Sequence, residues 1–350
     1  MKNTKQYFTL AFAIFFTLSI GAAPFDSTYQ AKPSETSLLK NANIYDGEGN
    51  EFFNYDVLIQ DGKIKAIGAN LVVENADVTI YDLTGMWVTP GIIDLHSHMG
   101  VYSAPGVKTS SDGNEATSPV TAEVWAEHSV WTQDPQFSLA LQGGVTSFHV
   151  LPGSANLIGG RGATFKNVQS NTIQGMKFPD APHSLKMACG ENPKRVYGNR
   201  KQSPSTRMGN IAGYRKAWIK ASKYRSNMAT YESKSAEAKE IVSPPTRDLE
   251  LDTLSGVLKG EILVQNHCYR AEEMAMMIDI ADEFGYKITA FHHAVEAYKI
   301  ADLLADNGIC GAMWADWWGF KHEAYDMVQE NIAIIDQARN GTGCAIVHSD

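Results

Sequence analysis

The chain has 350 residues, of which 44% are apolar and 20% charged, and its formal net charge is −9. That balance excludes wholesale disorder. The acidic sum, with no long basic run, argues against a nucleic-acid partner. From the N-terminus, Lys2 and Lys5 precede the apolar stretch "YFTLAFAIFFTLSI" and the small residues Gly21, Ala22 and Ala23. This is the pattern of a secretory signal peptide over 1–23. The apolar run is short for a membrane span, so no stable membrane insertion is expected after cleavage. The product is expected to be secreted, or periplasmic in a double-membraned bacterium.

A Pro/Ser/Thr-rich stretch, 24–36, reads as a linker. From Ser37 to Val88, short segments rich in Val, Ile, Phe and Tyr are broken by "DGEGN" and "QDGK". These are hairpin signals, and they predict a small antiparallel β unit. From Gly91 apolar strands alternate with amphipathic helices. The strands are carried by "IIDLHSH", "GVTSFHVLPGS", "ATFKNV", "SLKMACGEN", "EILVQNH", "KITAFHH", "ICGAMWAD" and "CAIVHSD". Glycines at Gly285 and Gly308 close two of the helices. Eight strand–helix units predict a parallel β/α barrel of class α/β. An open doubly wound sheet is the alternative, but no glycine-rich dinucleotide turn follows the first strand. The four cysteines, Cys189, Cys268, Cys310 and Cys344, lie in or beside apolar runs without zinc-knot spacing and are expected to be buried free thiols.

In such a barrel the chemistry stands at the C-terminal strand ends. His96 and His98 share one face of the first strand end, because residues i and i+2 point the same way. Lys186 lies on the fourth strand, His267 at the end of the fifth, His292 and His293 at the sixth, and His348 and Asp350 at the eighth. Six of the ten histidines fall at these ends. Imidazole nitrogen with carboxylate oxygen is the donor set that zinc and neighbouring divalent metals select.

With these motifs the sequence resembles the metal-dependent amidohydrolase superfamily, most closely its imidazolonepropionase-like and prolidase-like secreted members. The resemblance spans Ser37 to Asp350 and rests on "TPGIIDLHSH", "GVTS…LPGSANLIGGR", "LKMACGENPKR", "VQNHCYRAEE", "HHAVEAYKIADLLADNG" and "AIVHSD". It implies a (β/α)8 TIM-like barrel over 91–350 beside a partial β-sandwich over 37–90, holding one or two divalent metals. Zinc is the first choice, with iron, manganese or cobalt as alternatives. Carried over residue by residue, His96, His98, Lys186, His267, His293 and Asp350 are the implied metal ligands. Lys186 would be carboxylated if the site is dinuclear. Glu191 is the alternative to Lys186, and His292 against His293 is a question of strand parity that the motif resolves toward His293. Asp350 is the implied catalytic proton carrier. Members of the superfamily continue past this point with a final helix and complete the sandwich, so the resemblance also implies a fragment, aggregation-prone and poorly active.

The implied activity is hydrolysis of an amide, cyclic amide or dipeptide C–N bond, with a small molecule or dipeptide as partner. Xaa-Pro or Xaa-Arg dipeptides are one specific form. The alternative is a non-catalytic barrel that binds metal or ligand, and homo-oligomerisation is left open. Tyr269, Arg270, Arg161 and Tyr298 are candidate substrate contacts. For Arg270 the competing role is an ion pair with Glu272 or Glu273. "WADWWGF", Trp314 to Phe320, lines either the pocket or the barrel rim. The loop after the first strand is either a lid or a polar excursion.

Overall fold

The computed structural model describes residues 25–74 and 77–348. The expected signal peptide, 1–23, and Asp350 lie outside the described residues.

The chain first builds a five-stranded sheet from β1 (Ser37–Tyr45), β2 (Glu51–Gln60), β3 (Lys63–Gly68), β4 (Thr79–Asp82) and β5 (Trp87–Val88). Its order is β3-β2-β1-β4, with β5 also on β1. Asp61 and Gly62 join β2 to β3 with φ of 53° and 70°. A two-residue hairpin with both central residues left-handed matches the right-handed twist of its strands, which is why Asp-Gly stands there. Contrary to the antiparallel expectation, β4 and β5 run parallel to β1. Ala42, Ile44 and Val57 fill the buried face. The expected linker is anchored rather than free: Ser27 Oγ donates to the Lys177 carbonyl at 2.6 Å, and Lys177 Nζ donates to the Phe25 carbonyl at 2.8 Å.

The second sheet has eight strands: β6 (Ile92–Ser97), β7 (Val145–Val150), β8 (Ile158–Lys166), β9 (Ser184–Ala188), β10 (Leu263–Cys268), β11 (Ile288–His293), β12 (Cys310–Met313) and β13 (Ala345–Val347). They neighbour one another in chain order and the sheet curls as a barrel wall. The ladder is not wholly parallel as expected. β8 pairs antiparallel with both β7 and β9, while every other pairing is parallel. Residues 151–157 connect β7 to β8, too short a span for the crossover that parallel neighbours require, so the chain reverses.

Helices cover the outer face. The helix Arg207–Glu232 starts at Thr206, whose Oγ1 accepts from the Gly209 N–H at 3.1 Å. Its buried Tyr214, Ala217, Trp218, Ala221 and Tyr224 recur at helical spacing and form one stripe. That stripe packs with the helix Leu249–Leu258 over the outward residues of β9 and β10, Leu185, Met187 and Val264. The helix Ala271–Phe284 ends at Gly285 with φ 72°, the left-handed cap expected there.

The cysteines overturn the free-thiol expectation. Cys189 is bonded to Cys268 and Cys310 to Cys344. Each pair lies far apart in sequence, and only the parallel pairing of β9 with β10 and of β12 with β13 makes them neighbours. Among the described residues no helix is long and apolar enough to cross a membrane.

Candidate metal centre

Strand alternation decides what faces the barrel interior. Lys186 on β9 stands in register with Gln265 on β10, and His267 with His292 on β11. Residues in register share a face, so all four point inward while Leu185, Val264 and Phe291 face the helices. By this rule His293 would face outward. It ends β11 with φ 67°, and Ala294 follows at φ 37°. The left-handed step breaks the alternation and brings the His293 ring into the cluster as well. The parity question therefore dissolves, because both rings arrive.

Six imidazoles, His96 among them, gather here. Ring centroids lie 5.0 Å from His96 to His98, 4.7 Å to His292, 4.9 Å to His293 and 4.9 Å to His348. His267 joins through His293 at 4.6 Å. His348, at the eighth strand end, also faces this cluster.

The hydrogen bonds have a direction. The Gln265 Oε1 atom only accepts, so His292 Nε2 carries the proton in their 2.7 Å contact. Neutral His292 then accepts at Nδ1 from His96 Nδ1, 2.8 Å away. His96 Nε2 is left as the basic nitrogen, facing Lys186 Nζ at 3.3 Å. His98 Nδ1 donates to the Leu151 carbonyl at 2.9 Å, which makes its Nε2 the basic nitrogen too. Asn192 Nδ2 meets His267 Nε2 at 3.2 Å.

Burial first, and then nearby Lys186 or a neighbouring histidine, pushes the pKa values of His96, His267, His292 and His293 well below the ordinary imidazole value. Neutral imidazole is the form a metal takes. Among the described residues, the buried His267 Nδ1 and His293 Nδ1 have no hydrogen-bond partner, and an orphaned buried nitrogen needs an explanation. His348 stands beside the hydrogen-bonded His96–His292 pair, one nitrogen of each of the three within 4.8 Å of the others. The residues present fit a divalent ion. A cavity of about 550 Å³ lined by Asp94, His96, His98, Tyr102, Gln136 and Leu139 reaches the cluster from the β6 side.

The other sequence candidates fall in different places. Tyr269 is buried against the site, its ring 4.6 Å from His267 and 5.5 Å from His293. Trp314 lies 4.2 Å from His293, while Trp317 and Trp318 are exposed. Three candidate contacts are engaged elsewhere. Arg161 stands in register with the outward Leu185. Its Nε donates to Thr253 Oγ1 at 2.8 Å and its guanidinium covers Trp125 at 4.2 Å, outside the barrel lumen. Arg270 pairs with Glu272 at 2.5 Å. Tyr298 bonds the Asp326 carbonyl at 3.2 Å through its hydroxyl. Glu191, the alternative to Lys186, turns to Lys321 at 3.4 Å. The loop after β6 is pinned rather than loose, since Asp134 accepts from Gly100 N–H at 2.8 Å and from Ala104 N–H at 3.3 Å.

Sequence reasoning missed Gln265, Asn192 and Lys321. Gln265 had a usable signal, since it lies two residues before His267 on the same strand face. Asn192 and Lys321 lie on loops whose approach to the site no local pattern encodes; Lys321 Nζ donates to Asn192 Oδ1 at 3.1 Å and sits 4.1 Å from the Tyr269 ring.

No family model matches the sequence. Among curated proteins, amidohydrolase tasK of Hapsidospora irregularis is 33% identical over 322 residues, covering 83% of this chain and 33% of that protein. A dihydroorotase of Lactobacillus leichmannii is 46% identical over 84 residues, 23% of this chain and 18% of that protein. This chain thus spans a third or less of the length of these curated relatives. Among solved structures, an amidohydrolase from Thermotoga maritima MSB8 superposes with a TM-score of 0.79 at 37% identity, covering 89% of this chain and 77% of that one. A (β/α)8 barrel with a β-sandwich part is the class that this fold and this similarity define. The chain belongs to the amidohydrolase superfamily.

Proposed function

We propose that this chain carries the catalytic centre of a secreted, metal-dependent hydrolase that cleaves a C–N bond in an amide, cyclic amide or dipeptide. The observation that carries the reading is the convergence of six imidazoles and Lys186 at one end of the barrel, with basic nitrogens turned inward. Similarity to an amidohydrolase and a dihydroorotase supports the bond class.

His96 and His98 through Nε2, with Lys186, His267, His293 and Asp350, would hold one or two divalent ions, zinc by preference. When bound, such an ion supplies Lewis-acid polarisation of a carbonyl and acidifies water. His292 has both nitrogens engaged, so its part is to orient His96 through the Gln265 relay. Asp350 is assigned the proton that moves from water to the leaving nitrogen. Tyr269 and Trp314 wall the site with aromatic surface that excludes water. The signal segment 1–23 supports export, and two disulfides suit an oxidising compartment.

The test is elemental analysis of chain purified without chelator, followed by hydrolysis assays on N-acyl amino acids, cyclic amides and dipeptides with and without metal. One or two ions per chain and metal-dependent turnover are expected. A chain that takes up no divalent metal on reconstitution would sink the proposal.

A further inference from the structure

The Cys189–Cys268 disulfide is not placed like the other one. Cys268 follows His267 directly and stands in register with His293. Cys189 lies three residues after Lys186, just past the last β9–β10 ladder pair, Ala188 with His267. Beyond that pair one backbone bond links the strands, from Cys189 N–H to the His267 carbonyl at 2.9 Å. Cys310 and Cys344, by contrast, stand at the N-terminal ends of β12 and β13, the opposite end of the barrel.

The two sides of the histidine cluster are also held differently. His96 and His98 are oriented by side-chain hydrogen bonds at Nδ1. Among the described residues, His267 and His293 each leave a buried Nδ1 without such a bond, although Asn192 meets His267 at Nε2. A ring with no hydrogen bond at Nδ1 leans more on its backbone for its aim, and strand ends past the last ladder pair are where backbones splay. Catalytic and metal groups tolerate displacements of only about 0.5 Å.

We propose that the Cys189–Cys268 disulfide is a positioning element of the metal centre, clamping the β9 and β10 ends so that His267 and His293 keep a fixed distance from Lys186. The proposal rests on the metal-binding reading above. Both disulfides close long loops, with sequence separations of 79 and 34, so both are expected to stabilise the fold. Only the first sets the site.

The test compares Cys189→Ala/Cys268→Val with Cys310→Ala/Cys344→Ala in the full chain loaded with Zn(II). Melting temperature and the rate of Zn(II) capture by a chromogenic chelator are read on each. Loss of the first bond is expected to speed Zn(II) release by about tenfold or more, the scale of losing an outer-shell ligand support. The control pair should lower the melting temperature and leave release within about twofold of wild type. Cys189→Ala alone, which keeps the Cys268 sulfur in the core, serves as the second arm and should release Zn(II) as the double variant does. Equal release from both double variants, or wild-type release from the first, overturns the proposal. So does failure of both site variants to fold, which would assign the bond to the core alone. A wild-type chain that binds no Zn(II) would instead overturn the metal reading.

Discussion

His96 and His292 meet Nδ1 to Nδ1 at 2.8 Å, although 196 residues separate them in the chain. The contact fixes His96 as a donor at Nδ1 and leaves its Nε2 toward Lys186. It also divides the labour between two adjacent histidines, because His292 is engaged at both nitrogens and His293 is not.

Metal affinity should follow that division. His293→Ala, like His96→Ala, is expected to abolish stoichiometric zinc in elemental analysis, whereas His292→Ala should weaken affinity by about 10- to 100-fold and keep a measurable site. Gln265→Leu should behave as a weaker His292→Ala. Undiminished zinc in His293→Ala would move the ligand role to His292.

Arg161 is bound to Thr253 and covers Trp125, which points to a structural part. Truncation to Met leaves Thr253 without its partner and uncovers Trp125. A loss of about 1–3 kcal/mol in urea unfolding is expected, with KM for any substrate unchanged within about twofold. A selective rise in KM at unchanged stability would restore the substrate role.

Glu127 forms a buried ion pair with Lys177 at 2.6 Å, and His183, whose pKa burial lowers, stands 3.5 Å away. Burial alone would raise its carboxyl pKa, but attraction from His183 and Lys177 outweighs burial and holds the value below the ordinary one. A depressed folded pKa contributes stability that is present above the unfolded carboxylate value and lost as pH falls through the folded value. Glu127→Gln is expected to lose about 3–5 kcal/mol at neutral pH, because it strands the buried Lys177 ammonium. The difference from wild type should shrink in acid, as followed by denaturant melts from pH 7 to pH 3.

Trp218 is fully buried between the helix Arg207–Glu232 and the β9–β10 face, its ring 4.4 Å from Tyr286. Trp218→Ala should cost about 3–5 kcal/mol. Calorimetry would show this as a lowered melting temperature, with zinc content per folded chain unchanged.

The residue pattern alone determined a good deal. Apolar runs with period two, amphipathic helices and turn residues such as Asp61-Gly62 are local properties, so the eight strands and the glycine ends at Gly285 and Gly308 follow from short-range sterics and burial. Strand-end histidines were legible for the same reason, because i and i+2 in one strand must share a face. What the tertiary structure decided is everything that depends on contact between distant segments. The reversal of β8 came from connection length working against ladder geometry. Which cysteines are bonded came from strands brought side by side by the crossover between Gly190 and Ile262. Arg161 faces the helix layer because its register partner Leu185 does, a relationship written on another strand. His293 reaches the site because a left-handed residue ends β11, and His292 aims His96 because the curled sheet brings β6 and β11 around one point. Local chemistry chooses the elements, and the packing of elements far apart in the chain chooses which nitrogens meet.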